Sequence, residues 1–363
     1  MSTKRITIND VTIGMRVATD VYTENDELII QKNTILTDAL IARLKHHNIY
    51  NIRILLDNTP VPKASAAADT KPSYYERLQN SPEFKAFKKE YLQKADSLKN
   101  AMLSIIEENA PIDTDKLLSQ ATELMSKSRT TLHVFDIIVS LKNSSDMTFT
   151  HSINVSLLAA VLGKWLGYPQ EDIEALSLAG LLHDIGKQMI PQEILNKEGA
   201  LTEQDLKILR SHTEKGYELL SKYDLDPRII DAALTHHEKF DGTGYPKGLK
   251  GNEIKDFAKI IAIVDVYDAM TAKRIYHEPY CPFEVIRQIE RDGYQRYDAH
   301  MLMVFLENVV TTYVGNKVIL SNGMIGEVIM INKLDLSRPI VKISDDQYID
   351  LSHKRDIDVV SIV

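Results

Sequence analysis

Apolar residues recur at three- and four-residue spacing through the long middle of this 363-residue chain, and at alternate positions only towards its two ends. That contrast predicts a helical centre with β-rich flanks. From Arg5 to Leu56, short runs of β character (Arg5-Ile6-Thr7-Ile8, Glu27-Leu28-Ile29-Ile30, Ile52-Arg53-Ile54-Leu55) alternate with turn residues. One helical piece lies among them, with Thr37 as its N-cap. Residues 58–73 (NTPVPKASAAADTKPS) have linker composition. Tyr91, Leu98, Met102, Ile105 and Ile106 then mark a helix, Pro111-Ile112-Asp113 breaks it, and Leu117, Leu118, Ala121, Leu124 and Met125 mark a second. Helical periodicity runs on through Val155 to Leu158, Ile173 to Leu181, and Ile260 to Val266. Beyond Val314 the chain turns to strands: Lys317–Leu320, Gly326–Ile331, Pro339–Ile343 and Asp356–Val360, with Asn322-Gly323 as a hairpin turn. The expected fold class is mainly α. It comprises a small α+β module (1–57), a linker (58–73), connecting helices (74–128), an all-α domain (129–313) and a β-rich extension (314–363).

Composition narrows the picture. With 44% hydrophobic and 26% charged residues, the chain can bury a substantial core and stay soluble. A net charge of −8 leaves no basic surplus for phosphate backbones, so neither DNA nor RNA is an expected partner. The single cysteine, Cys281, excludes a cysteine-based zinc cluster and suits a reducing cytoplasm. The opening MSTKRITINDVTIG lacks the apolar run of a signal peptide, and no stretch reaches the length of a membrane span. A cytoplasmic location is expected.

Within the helical centre, seven metal-binding side chains stand between positions 151 and 265: His151, His183, Asp184, His212, His236, His237 and Asp265. Neutral imidazole and carboxylate are ligands for Mn, Fe(II), Co, Ni and Zn. Taken singly, His212 is as well read as a capping residue, and Asp265 as a buried hydrogen-bonding carboxylate. Together they outnumber the needs of one tetrahedral ion, and Asp184, beside His183, is placed to bridge two. Asp265 lies in the apolar run Ile260-Ile261-Ala262-Ile263-Val264, where a carboxylate is costly unless a cation pairs with it. The set reads as a two-metal hydrolase.

LLHDIGK (181–187) resembles the HD superfamily of metal-dependent phosphohydrolases, and HHEKFDGTGYPKGLKGNEI (236–254) resembles its HD-GYP subgroup. FTHSINV (149–155), IPQEILNKEGALTEQDLKILRSHTEKGYELL (190–220) and IAIVDVYDAMTAKRIY (261–276) are similar to further segments of that family. The resemblance covers residues 130–312. It implies a helical-bundle fold and a phosphodiesterase that opens cyclic di-GMP to pGpG, and in many members on to GMP. It also implies two divalent transition-metal ions, Fe or Mn. His151, His183 and Asp265 would hold one, His212, His236 and His237 the other, with Asp184 bridging. A hydroxide between the ions would attack phosphorus, Lys187 would meet a phosphate oxygen or the leaving alkoxide, and Arg274 would grip the second phosphate.

Two positions depart from the family pattern. Met147 stands where some members carry a third-metal glutamate, which implies two ions here. His277 replaces a usual Lys or Arg at the substrate and puts affinity in question, with a charge that titrates near neutrality. Tyr245, within Gly244-Tyr245-Pro246, is expected beside the substrate. Its loop packs at the metal pocket or presents a surface to diguanylate cyclase (GGDEF) proteins, and turn formation explains its Gly and Pro equally well. Residues 12–54 and the C-terminal strands resemble modules that flank HD-GYP domains, and are expected to support packing or a homodimer. The rival readings are hydrolysis of another cyclic dinucleotide and a non-catalytic receptor.

Overall fold

The computed structural model describes residues 3–7, 11, 15–22, 28–30, 32, 34, 36, 40, 44, 49, 51–55, 80–126, 147–197, 199–271 and 281–363. They divide into two compact units. One comprises Met1–Tyr74, Gly315–Met330 and Arg338–Val363; the other comprises Tyr75–Val314 and Ile331–Ser337. The chain is mainly helical, with small antiparallel sheets formed by its N- and C-terminal parts. Thr37 and the stretch 58–73 lie outside the described residues.

In the first unit, strands β1 (Thr3–Thr7) and β4 (Asn51–Leu55) pair antiparallel, as do β2 (Val21–Tyr22) and β3 (Leu28–Ile30). Alternate residues Ile52 and Ile54 turn inward to join Val11, Val17, Val21, Ile30, Leu36 and Leu44 in a small apolar cluster. The C-terminal part of the unit is a five-stranded sheet in the order β8-β7-β6-β5-β9, from β5 (Lys317–Leu320), β6 (Ile325–Met330), β7 (Ile340–Ser344), β8 (Gln347–Asp350) and β9 (Val359–Ile362). Gly323 takes φ +83° in the β5–β6 turn. Strand β8 has no apolar run to announce it, because its short polar segment is recruited by pairing with β7. The last strand begins at Val359 rather than Asp356, since Arg355 and Asp356 form a turn and Asp358, just after it, accepts from Arg338 through its carboxylate.

The second unit is a helical bundle. Helix α1 (Pro82–Glu108) starts at the N-cap Ser81 with proline in its first turn, and ends at Asn109 in the left-handed conformation. After the break at Pro111 comes α2 (Thr114–Ser126). Helices α3 (Met147–Trp165), α4 (Gln170–Leu182) and α9 (Asp256–Thr271) are apolar nearly all round. Such helices belong in an interior, and the three pack on one another at the centre. The amphipathic α6 (Glu203–Arg210), α7 (His212–Leu220), α8 (Pro227–Thr235), α10 (Pro282–Arg296) and α11 (Ala299–Thr311) surround them, with the short α5 (Gln192–Leu195) between α4 and α6. Among the described residues, no helix is long and apolar enough to cross a membrane.

Candidate metal centre

Helix ends deliver most of the site. His212 is the first residue of α7, His236 caps the C-terminus of α8 with His237 next to it, and His151 and Asp265 sit within α3 and α9. Helix α4 stops at Leu182, His183 is its C-cap, and Asp184 leaves helical geometry (φ −105°, ψ 12°) before a 3₁₀ turn over Ile185–Met189. That break brings the two side chains together, with His183 Nε2 3.2 Å from Asp184 Oδ2.

All seven side chains converge. Asp184, His212, His236 and His237 form one set, and His151, His183 and Asp265 another; in each, the ligand atoms lie within 4.8 Å of one another. Asp184 touches both. Its Oδ2 lies 3.7 Å from His151 Nε2, while its Oδ1 lies 3.3 Å from His212 Nε2 and 3.7 Å from His236 Nε2. Asp265 lies 3.1 Å from His151 Nε2 and 3.9 Å from His237 Nδ1.

The hydrogen bonds on the outer nitrogens decide how these rings face. Nδ1 of His183 bonds the Gly180 carbonyl at 2.8 Å, and Nδ1 of His212 that of Leu209 at 2.7 Å. Nδ1 of His236 bonds the Ala232 and Ala233 carbonyls at 3.0 and 3.1 Å. A carbonyl only accepts, so Nδ1 carries the proton and Nε2 presents a lone pair inward. The Nε2 atoms of His183, His212 and His236, with Asp184 Oδ1, are buried and lack any hydrogen-bond partner. Buried acceptors aimed at one another are unfavourable without a cation among them. The donor set therefore fits divalent metal ions.

Electrostatics agree. Burial opposes the charge on Asp184, yet His183 and Lys187 hold its carboxyl well below the usual carboxylate range. Burial also opposes ionisation of Asp265, which the hydrogen bond from His151 more than offsets. Burial pushes His236 down to about 4, and burial with neighbouring His236 keeps His237 neutral as well. His151 goes the other way. Despite burial, hydrogen bonds to Asp265 and Asp268 raise it to about 10. These opposite shifts predict the pH response of the metal-free protein. His151 binds its proton more tightly folded than unfolded, so its contribution is complete below 6.5 and is lost as pH rises towards about 10. His236 resists the proton when folded, so stability is lost as pH falls from 6.5 towards about 4. The melting temperature of the metal-free protein is expected to peak near neutrality. A melting temperature still rising at pH 9 would contradict the assignment for His151.

Lys187, in the 3₁₀ turn, places its ammonium on Asp184 Oδ2 with the side chain 27% exposed. Tyr245 lies against His237, ring centroids 4.8 Å apart, and the Arg210 guanidinium lies over the Tyr245 ring, 5.0 Å from its centroid. Burial together with Asp184 and Asp265 raises the Tyr245 phenol. The loop carrying Tyr245 is tied down by buried Glu238, whose carboxylate accepts from the backbone N–H of Lys247 at 2.7 Å and Leu249 at 3.0 Å. Gly244 is required there, since a Cβ would lie 2.4 Å from the Glu238 Cα. Arg274 and His277 lie outside the described residues.

Sequence reasoning missed Asp268 and Arg210. Asp268 is buried and accepts from His151 Nδ1 at 2.8 Å. Its spacing of three from Asp265 on an apolar helix was the available signal. Arg210 carries no such mark, being one exposed arginine among many.

Comparison with known proteins follows the same lines. A family model described as an HD domain matches residues 113–301. The chain is 38% identical over 208 residues to a cyclic di-GMP phosphodiesterase of Pseudomonas aeruginosa, covering 57% of this chain and 50% of that protein. It is 36% identical over 177 residues to a cyclic di-GMP phosphodiesterase of Thermotoga maritima, covering 48% of each. It is also 33% identical over 177 residues to a 3'3'-cGAMP-specific phosphodiesterase of Vibrio cholerae, covering 48% of this chain and 34% of that protein. The chain thus spans about half the length, or less, of these curated relatives.

Proposed function

The chain belongs to the HD domain family, and on that premise we propose that it is a metal-dependent phosphodiesterase that opens cyclic di-GMP to pGpG, with GMP as a further product. The observation that carries this reading is the inward-facing set of unpartnered atoms on His183, His212, His236 and Asp184. In the proposal two ions, Fe or Mn, occupy the site, one held by His151, His183 and Asp265 and the other by His212, His236 and His237, with Asp184 shared. When bound, such ions lower the pKa of a water and neutralise charge building on phosphate oxygens.

The protein's own residues supply the rest. Nδ1 bonds fix the imidazoles before any substrate arrives, so no reorganisation is needed during reaction. Lys187, partly exposed and paired with Asp184, would meet a non-bridging phosphate oxygen or the leaving alkoxide. Tyr245, at the edge of the cluster beside His237, would meet the substrate, and Arg274 and His277 would contribute the remaining dinucleotide contacts. Diguanylate cyclase (GGDEF) proteins, a second copy of this chain and a cytoplasmic setting belong to the same proposal, and rest on the substrate class.

Kinship with a 3'3'-cGAMP-specific enzyme supports a second substrate, another cyclic dinucleotide. Anaerobically purified protein, reconstituted separately with Mn and Fe(II), should be given cyclic di-GMP and 3'3'-cGAMP, with pGpG and GMP resolved. Turnover of cyclic di-GMP that vanishes in the His183→Ala, Asp184→Ala double variant is expected. Faster cleavage of 3'3'-cGAMP would reassign the substrate, and binding without turnover under either metal would make the protein a receptor.

A further inference from the structure

A buried chain of hydrogen bonds reaches the metal cluster from a helix that contributes no ligand. Tyr91 lies mid-way along α1, 1% exposed, with its ring stacked on Phe87. A phenol hydroxyl buried so deeply needs a partner. Its single O–H proton is shared between the Thr150 carbonyl at 2.9 Å and Asn154 Oδ1 at 2.6 Å, both on α3 and on either side of His151 in sequence. Asn154 Nδ2 donates to Asp268 Oδ1 at 3.0 Å, and Asp268 Oδ2 faces His151 Nδ1 at 2.8 Å. The amide can stand only one way. Flipped, its oxygen would meet the Asp268 carboxylate, two acceptors face to face. The Asp268 carboxylate thus sets the amide's orientation, and the buried Tyr91 hydroxyl holds Asn154 in place from its oxygen side, so that Asn154 supports Asp268 and Asp268 in turn supports His151.

This arrangement separates His151 from the other rings. His183, His212 and His236 are anchored by carbonyls three or four residues back along their own chain, so local helix geometry orients them. The anchor of His151 comes from another helix, 117 positions away, and is itself held by residues of α3 and α1. Tyr91 also precedes the stretch matched by the HD domain model, which begins at residue 113. We propose that Tyr91 is a positioning residue that, through Asn154 and Asp268, sets the affinity of the ion held by His151 and leaves the ion held by His212, His236 and His237 unaffected. The metal centre is thereby coupled to α1, a helix outside the matched domain.

This rests on the metal-binding reading above, and the test separates the two. Full-length metal-free protein is titrated with Mn(II) alone, free ion being followed by electron paramagnetic resonance, and melting of each metal-free variant is recorded. Wild type is expected to take two ions. Tyr91→Phe keeps the ring and should weaken one of the two by about tenfold, the low end of what losing an outer partner of a ligand does. Asn154→Ala, cutting the relay at a second link, should weaken the same single ion. Phe87→Leu loses packing beside Tyr91 but no hydrogen bond, and should leave both affinities unchanged. Two ions bound as tightly in Tyr91→Phe and Asn154→Ala as in wild type would overturn the proposal. Equal weakening of both ions, or the same loss in Phe87→Leu, would reduce Tyr91 to a packing residue. A wild type that takes up no Mn(II) would sink the metal reading and this one together.

Discussion

Asp184→Ala should strip both ions from the protein and lower cyclic dinucleotide turnover by at least about 10³-fold, roughly 4 kcal/mol of transition-state stabilisation. The expectation comes from position. Asp184 reaches both sets, with Oδ2 towards His151 and His183 and Oδ1 towards His212 and His236, whereas Asp265 meets the other set only at 3.9 Å from His237 Nδ1. The Asp184 side chain is 2% exposed, so no water can replace the lost carboxylate without a cavity opening. Without it, neutral imidazoles face one another with a single carboxylate, Asp265, to balance two dications. Asp184→Asn keeps the shape and removes the charge, and should lose metal nearly as completely. Metal content by atomic absorption, measured beside turnover, checks both variants. Retention of two ions with turnover within tenfold of wild type would show that Asp184 does not join the two sets.

Gly186→Ala should be the most damaging change outside the ligands. A Cβ at Gly186 would stand 2.0 Å from the His212 carbonyl oxygen and 2.7 Å from the Gly216 nitrogen. Both are backbone atoms of α7, one in its first residue and one at its middle, and α7 packs closely on the 3₁₀ turn. A flexible side chain could swing aside, but a helix backbone cannot. Relief requires moving α7, and His212 moves with it. The variant is expected to lose about 3 kcal/mol or more, at or beyond the upper end for overpacking. For a unit of this size that corresponds to a fall of about 6–12 °C in melting temperature. Any folded fraction should bind the ion held by His151, His183 and Asp265 better than the one that needs His212. A melting temperature unchanged from wild type would mean the turn and α7 are looser than their contacts indicate.

The division between what was legible in sequence and what was not follows the range of the forces involved. Helix breaks at Pro111-Ile112-Asp113, the Asn322-Gly323 hairpin and the apolar cores of α3 and α9 were readable, because each is set by residues within a turn or two. The seven side chains that converge at the candidate centre were readable for a related reason: imidazole and carboxylate chemistry belongs to the side chain itself, wherever it ends up. Strand β8 was not, since its polar residues are strand only by virtue of pairing with β7. Nor could sequence foresee that a break after Leu182 turns His183 and Asp184 towards each other. The bond from Asp268 to His151 spans 117 positions, and that from Tyr91 to Asn154 spans 63. Residue types and local periodicity thus determined the kinds of element and the chemistry on offer. Only the tertiary structure decided which rings face one another across the cluster and that His151 is tied back by Asp268, because those partners meet only when helices pack.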